Sequence, residues 1–500
     1  MTDDTELARA HAKPDYAPPE GAQTTASLTI GGTTIDYAAI AGWTVLRKQE
    51  KPAAEIFSVA YIADLEGDRP VTFVFNGGPG ASSAFLHVGA VGPSRVAFPA
   101  DGTLPAMPPR LVPNEESWLA FTDLVFIDPV GTGFSRVIDT GDGADAKADK
   151  EGAVDPKEYF GYKRDLESLC EFMSRWLSQN GRWGTPVFIA GESYGGYRVG
   201  RLAKIAQEDA GIGLSGAILI SPALENGPLA PTDYDVLGWI DVVPTMALAA
   251  VHHGRSRMFA QGTPTDEVAT AAEEFATGEL TTLLVRGEAM PTADRARVLT
   301  RLADLVGLPL DTVQRAEGRI AIDVFVRELL RDERLIVGLY DATITAHDPF
   351  PDRPGFVGPD PTLAGDTPVF TGAINRELRS RIGVETDREY LLLSMDVNKA
   401  WKNDAPEHFF VPPVGATDDL RYGLALNPHM RALIVHGMHD LVTPYYLSDR
   451  TRNLMRLDPR VADRVSVRRY GGGHMFYVWE ESRRAFTADV AAFFAQALGR

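Results

Sequence analysis

Four short runs of almost unbroken apolar residues constrain this chain more than any other feature: Val71–Phe75, Leu124–Ile127, Val187–Ala190 and Ala217–Ile220. A strand with one wet face alternates apolar and polar residues. A run without alternation is a strand covered on both faces, the condition of a parallel sheet. Between the second and third runs, Tyr159–Gln179 places Leu166, Leu169, Cys170, Met173, Trp176 and Leu177 at three- and four-residue steps, the spacing of an amphipathic helix. Strand and helix in repetition predict an α/β class with a doubly wound core. Ahead of that core, Ser27–Ile30 and Thr33–Ile40, joined by Gly31-Gly32, read as a hairpin, and Glu55–Ile62 reads as a further strand.

The alternation breaks after Pro222. Residues 232–345 read as largely helical, with helical periodicity in Ala296–Val306 and Ile320–Leu330 and no clear buried strand. Pro and Gly crowd Asp348–Gly365, which reads as a loop. Strand-like runs return at Ala432–Val435 and Val465–Tyr470, and a last helix is expected over Arg483–Leu498. At about 150 residues per domain, the chain length suggests three domains. The order of segments instead predicts one interrupted core: a loose arm over 1–22, a first core part over 23–231, a mostly helical insertion over 232–400, and a second core part over 401–500.

Composition excludes several classes. The chain is 44% apolar and 23% charged, enough to bury a large core. Its formal charge of −19 would repel a nucleic-acid backbone or an anionic membrane, so neither is expected as a partner. Cys170 is the single cysteine, which excludes an intrachain disulfide and a cysteine-based zinc site. Val236–Val251, the longest apolar candidate for a span, contains Asp241 and Pro244 and is too short to cross a bilayer. The start, Met-Thr-Asp-Asp-Thr-Glu, has no secretory character, and a cytoplasmic location is the expectation.

The chemistry gathers at loops that leave apolar strands. Gly191-Glu192-Ser193-Tyr194-Gly195-Gly196 follows Val187–Ala190 directly and opens a helix over Tyr197–Glu208. A strand, a sharp turn and a helix lift the Ser193 hydroxyl above the sheet, and small residues beside it let strand and helix approach. A serine nucleophile needs a base and a group that orients the base. Asp440 follows the strand Ala432–Val435 and His474 follows Val465–Tyr470, so Asp440 is the candidate acid and His474 the candidate base. Val71–Phe75 runs into Asn76-Gly77-Gly78-Pro79-Gly80, where backbone N–H groups of Gly78 and Tyr194 can form an oxyanion hole. No Gly-Lys-Ser/Thr follows this loop, which excludes a phosphate loop. His436 and His439 have a metal-ligand spacing without a third carboxylate ligand, and His252-His253 reads as a satisfied or solvated pair, so no metal or other cofactor is expected.

Asn76-Gly-Gly-Pro-Gly-Ala-Ser-Ser83, Phe126-Ile-Asp-Pro-Val-Gly-Thr-Gly-Phe-Ser135, Gly191-Glu-Ser-Tyr-Gly-Gly196, His436-Gly-Met-His-Asp440 and Gly473-His-Met475 together resemble the serine carboxypeptidase family. The resemblance covers about 70–230 and 430–480, in the family's order. It implies an α/β-hydrolase fold with a helical cap, and release of C-terminal amino acids from peptides through an acyl-enzyme on Ser193. It further implies that Asn76, the Gly77 N–H and Glu192 hold the substrate carboxylate. Glu192 must then carry a proton or have a raised pKa, because two carboxylates side by side repel.

The sequence also departs from the family. Ala90 stands where a second glutamate is usual, Ala81 where a cysteine is usual, and Phe476-Tyr477 where Val-Pro is usual. The segment around Asp128 is one residue shorter. Three alternatives stay open: an esterase or acyltransferase on the same triad, a catalytically silent binding protein, and a metallohydrolase.

Overall fold

The computed structural model describes residues 16–65, 67–138, 156–402 and 415–499. A meander opens the fold: β1 (Ala22–Ile30), β2 (Thr33–Lys48) and β3 (Lys51–Ala63), each antiparallel to the next. Gly31 and Gly32 have φ of 56° and 82°, the positive values that a two-residue hairpin turn requires. The hairpin expected over 27–40 is therefore present and longer, since β2 continues through Gly42 and pairs with β3 as far as Lys51. Residues 1–15 of the expected arm lie outside the described residues.

After β4 (Val71–Phe75), the short strands β5 (Ser94–Val96) and β6 (Leu111–Pro113) pair with each other outside the main sheet. The core resumes with β7 (Asp123–Ile127), and β8 (Arg136–Val137) adds to β3. Then follow α1 (Tyr162–Gln179), β9 (Val187–Glu192), α2 (Tyr194–Glu208) and β10 (Leu214–Ile220). The next stretch is mainly helical. It includes α3 (Val243–His252), α4 (Thr265–Phe275), α5 (Thr292–Val306) and α6 (Leu363–Asn375). It also holds a short antiparallel pair, β11 (Leu335–Val337) and β12 (Thr345–His347), which the reading of residues 232–345 did not anticipate. Three residues are too few to show a period. The core closes with β13 (Arg431–Gly437), β14 (Val465–Tyr470) and α7 (Glu480–Ala497).

The main sheet runs β1-β2-β3-β7-β4-β9-β10-β13-β14, and from β7 to β14 all neighbours are parallel. Every residue of β4, β7 and β9 is buried, as the continuous apolar runs require. Alternate residues serve opposite faces. Phe73, Phe75, Ile189 and Leu219 join α1 and α2 in one apolar cluster. Val74, Ala190, Ile218 and Ile220 join Phe486, Val490 and Phe494 of α7 in another. This is the α/β-hydrolase architecture. The helical stretch has its own core, centred on α3, α4 and α5, which takes in Met438, Leu441 and Tyr445 from the segment that follows β13. Among the described residues no helix is long and apolar enough to cross a membrane.

Asp123 ties down the N-terminal end of β7. Its carboxylate accepts from the Ala63 N–H (3.1 Å) and pairs with Arg69 (3.1 Å) and Arg182 (2.9 Å), which join the ends of β3, β4 and β9. Asp123→Ala leaves two partly buried guanidiniums without their carboxylate. We expect it to cost about 3 kcal/mol, measured as a lower urea midpoint with an unchanged slope.

Candidate active site

Ser193 sits where β9 turns into α2, with φ 61° and ψ −123°. An L residue pays about 1–3 kcal/mol for such a conformation, so its surroundings must hold it. The Ser193 N–H donates to the Ile220 carbonyl (2.9 Å), and its own carbonyl accepts from Gly196 (2.9 Å) and Ala223 (3.1 Å). Close approach demands the glycines around it: a Cβ on Gly191 would fall 2.3 Å from the Gly195 oxygen, and one on Gly195 would fall 2.7 Å from the Phe75 oxygen. Glu192 and Tyr194 are buried, whereas Ser193 keeps partial exposure.

Asp440 and His474 leave the ends of β13 and β14 on the edge where Ser193 emerges. His474 Nδ1 lies 2.6 Å from Asp440 Oδ2, and both side chains are buried. Asp440 only accepts, so Nδ1 carries the hydrogen and Nε2 keeps its lone pair in the neutral ring. The Val442 and Thr443 N–H groups donate to Asp440 Oδ1 (2.8 and 3.0 Å), and the Thr443 hydroxyl donates to Oδ2 (2.6 Å). Burial opposes the imidazolium, but the charge and hydrogen bond of Asp440, helped by Glu192, outweigh it and raise the His474 pKa. Among the described contacts the Ser193 hydroxyl makes no hydrogen bond to His474. Such contacts often tighten only when substrate is bound.

Ser221, which the sequence analysis did not single out, joins the strand ends. Its N–H donates to Val435 (2.7 Å) and its hydroxyl to the His474 carbonyl (2.8 Å), while its carbonyl lies 3.0 Å from the Thr443 hydroxyl, whose single hydrogen points to the nearer Asp440. Tyr340 also escaped the sequence analysis; its carbonyl accepts from the His474 N–H and its ring stands edge-on to the imidazole at 5.3 Å.

The loop after β4 lies against the start of α2. A Cβ on Gly77 would fall 2.4 Å from the Tyr194 nitrogen. Tyr194 is the first residue of α2, where an N–H has no intrahelical acceptor. Neither it nor the Gly78 N–H donates to another backbone group among the described residues. Both remain available to a developing oxyanion. Asp128, from the second motif, braces this loop: it accepts from the Ser83 N–H (2.9 Å), the Ser83 hydroxyl (2.8 Å) and the Tyr390 hydroxyl (3.2 Å).

Glu192 is 3% exposed. The Asn76 amide donates to its Oε2, and the Tyr477 hydroxyl donates to its Oε1 (2.8 Å). Burial pushes its pKa up to about 7, against the lowering effects of His474, Tyr477 and Asn76, and Asp440 adds to the rise. Asn76 is itself fixed, because its Oδ1 accepts from the Leu86 N–H (3.1 Å) and its carbonyl from Arg198 (2.5 Å), which forms a buried pair with Asp165 (2.8 Å). Ala90 is buried and brings no polar side chain. His436 bonds Ser448 (2.8 Å), and the His439 ring lies 5.9 Å from that of His252. His252 and His253 stand edge-on at 4.8 Å, and His253 Nε2 bonds the Ala342 carbonyl (2.8 Å). Among the described residues no group of three or more His, Cys, Asp or Glu is placed to hold a metal ion.

A strained serine between strand and helix, with an Asp–His pair at neighbouring strand ends, marks the site type of an α/β-hydrolase. Comparison with known proteins is more specific. Residues 40–254 match the family model described as serine carboxypeptidase, so the resemblance carried by the first three motifs holds over that stretch. The match ends before Asp440 and His474. Serine carboxypeptidase-like 36 of Arabidopsis thaliana is 29% identical over 181 residues, 35% of this chain and 33% of that protein. Serine carboxypeptidase-like 33 of the same plant is 28% identical over 201 residues, 38% of this chain and 36% of that protein. The chain thus spans about a third of the length of these relatives. Among solved structures, Aspergillus niger epoxide hydrolase gives a TM-score of 0.35 at 14% identity, covering 92% of this chain and 79% of that one. The fold assignment rests on the strand order above.

If Asp440 holds the productive tautomer of His474, Asp440→Asn should slow labelling of Ser193 by a fluorophosphonate about 10³–10⁴-fold at pH 7. Ser193→Ala should abolish labelling. Equal labelling of wild type and Asp440→Asn would remove Asp440 from this role.

Proposed function

We propose that this chain is a serine-type carboxypeptidase that releases C-terminal amino acids from peptides with a free carboxylate. His474 Nε2 takes the Ser193 proton as the oxygen attacks the scissile carbonyl, and Asp440 stabilises the imidazolium. The N–H groups of Gly78 and Tyr194 receive the oxyanion. The intermediate collapses to an ester on Ser193, and His474 protonates the departing amine. A water, activated in turn by His474, then frees the acyl group. Asn76, the Gly77 N–H and Glu192 hold the α-carboxylate of the leaving residue. This reading needs no cofactor, nucleic acid or membrane.

The observation that carries the reading is Glu192. A buried carboxyl beside the nucleophile, with its pKa pushed up to about 7, can present a proton to a substrate carboxylate below that pH. The requirement on His474 is opposite, because it must be neutral to act as a base and its pKa is raised. Cleavage of free-carboxylate peptides should therefore gain as His474 loses its proton and decline as Glu192 loses its own.

A second reading keeps the triad and changes a substrate: an esterase, whose acyl-enzyme comes from an ester and is still hydrolysed by water, or an acyltransferase, in which an alcohol or another nucleophile replaces that water. Ala90 favours it, since the usual second carboxyl is missing from that wall. The carboxypeptidase-like names of the plant relatives fit either reading.

A blocked dipeptide, its C-terminal amide and a simple ester, assayed from about pH 4 to 8, separate these readings. The carboxypeptidase reading expects the free acid to be preferred about 100-fold over the amide, or roughly 3 kcal/mol. Its rate should fall as pH rises through about 7 while ester cleavage does not. Glu192→Gln should flatten that fall. Equal rates on acid and amide, or an unchanged profile in Glu192→Gln, would overturn it.

A further inference from the structure

Glu192 has two partners of very different origin. Asn76 lies in the glycine-rich loop, whereas Tyr477 comes from the turn that carries His474, three residues further on. We propose that Tyr477 is a positioning residue that fixes the Glu192 carboxyl for a substrate carboxylate, a role that deepens and rests on the carboxypeptidase reading.

Three observations carry this. First, the Tyr477 side chain is fully buried and its hydroxyl donates to Glu192 Oε1 at 2.8 Å, leaving Oε2 to Asn76. With one donor on each oxygen the carboxyl plane cannot rotate, although each oxygen keeps a second lone-pair position for a proton or a ligand. Second, the ring is seated against the turn His87–Val91: a Cβ on Gly89 would fall 3.2 Å from Tyr477 Cε2. Ala90 adjoins that contact without a polar side chain, so Tyr477 supplies a polar group to Glu192 from a ring packed on this wall. Third, the backbone of Tyr477 is anchored. Phe476 stacks on Tyr470 at 4.8 Å, and the Val478 N–H donates to the Met475 carbonyl (2.9 Å).

The charged groups facing this pair are few. His474 and Asp440 act on Glu192, and Asp366 of α6 acts on Tyr477. Asp366 is buried, and burial together with Asp360 and Asp341 pushes its pKa up to about 7. It is therefore neutral below that pH and adds negative charge beside Tyr477 above it. Tyr477 itself stays protonated, since burial and Glu192 hold its pKa well above the usual phenol value. Its hydroxyl is a donor throughout the working range.

A hydroxyl that donates to Glu192 favours the ionised form. Tyr477→Phe keeps the ring and removes that donor, so Glu192 should hold its proton to a pH about one unit higher, as expected for loss of a hydrogen bond to a charged group. The carboxyl also gains rotational freedom. KM for free-carboxylate dipeptides should rise about tenfold with kcat nearly unchanged, while ester cleavage stays within about twofold.

Carboxyl-¹³C-glutamate labelling of the full chain reads the first effect directly, with the Glu192 resonance identified by its loss in Glu192→Gln. A fluorinated tyrosine at 477, a stronger donor of nearly the same shape, should shift the titration downward and guards against a packing artefact in Tyr477→Phe. An unmoved titration in both variants overturns the proposal. A moved titration with unchanged KM for free-carboxylate peptides also overturns it, leaving only a structural contact. If wild type does not prefer free carboxylates, the carboxypeptidase reading itself fails, and the titration still reports whether Tyr477 holds Glu192.

Discussion

Ser193 occupies a backbone conformation that its side chain disfavours, and the surrounding structure must keep it there. The Ile220 carbonyl can reach its N–H because β10 lies beside β9 in parallel register, and the Ala223 N–H can reach its carbonyl because the chain bends at Ser221, whose φ is 41°. Gly77 can lie against Tyr194 only because β4 adjoins β9 on the other side. The strand order that buries the core therefore also holds the serine in its strained form and brings the glycine-rich loop against the start of α2.

Burial has a second effect, on protons. Glu192 titrates near 7 and His474 above the ordinary imidazole value, and each feels the other's charge. With one proton between them, the pair has two arrangements. In the first, Glu192 is neutral and His474 is a free base. In the second, Glu192 is charged and His474 is imidazolium. The two hold the same number of protons, so pH does not change their ratio. Only the first suits the proposed chemistry. The groups that decide between them are those that favour one charge over the other: Asp440 favours the imidazolium, and burial of Glu192 favours its neutral form.

Much of this architecture was legible in the residues. Val71–Phe75 forms a strand over the same bounds, and Val187–Ala190 only needed extension to Glu192, because a strand covered on both faces leaves an unbroken apolar run. The Asp440–His474 contact was legible from two strand ends, since neighbouring parallel strands deliver their loops to one edge. Ser221, Tyr340, Thr443 and Tyr477 were not. Ser221, Tyr340 and Tyr477 act through short polar contacts with residues far away in sequence, Ser221 and His474 being 253 positions apart and Tyr477 and Glu192 285, whereas Thr443 acts on Asp440 from within the same loop. A lone serine or tyrosine carries no local pattern that distinguishes such a contact from an ordinary buried hydroxyl. β11 and β12 were missed because three residues fall below any detectable period.

Tyr340 and Asp341 belong to the mainly helical stretch, yet they grip the loop that bears the base. Tyr340 offers its carbonyl to the His474 N–H, and Asp341 accepts from the Gly473 N–H and the Trp479 indole, both at 2.9 Å. The helical stretch is thus tied to the loop that bears the base. A chimera that grafted another insertion onto this sheet would have to furnish a carbonyl and a carboxylate at the same two places, or its imidazole would lose its footing. Within the helical stretch, the short segment around residue 340 is therefore where a change of backbone course would disturb the imidazole most directly.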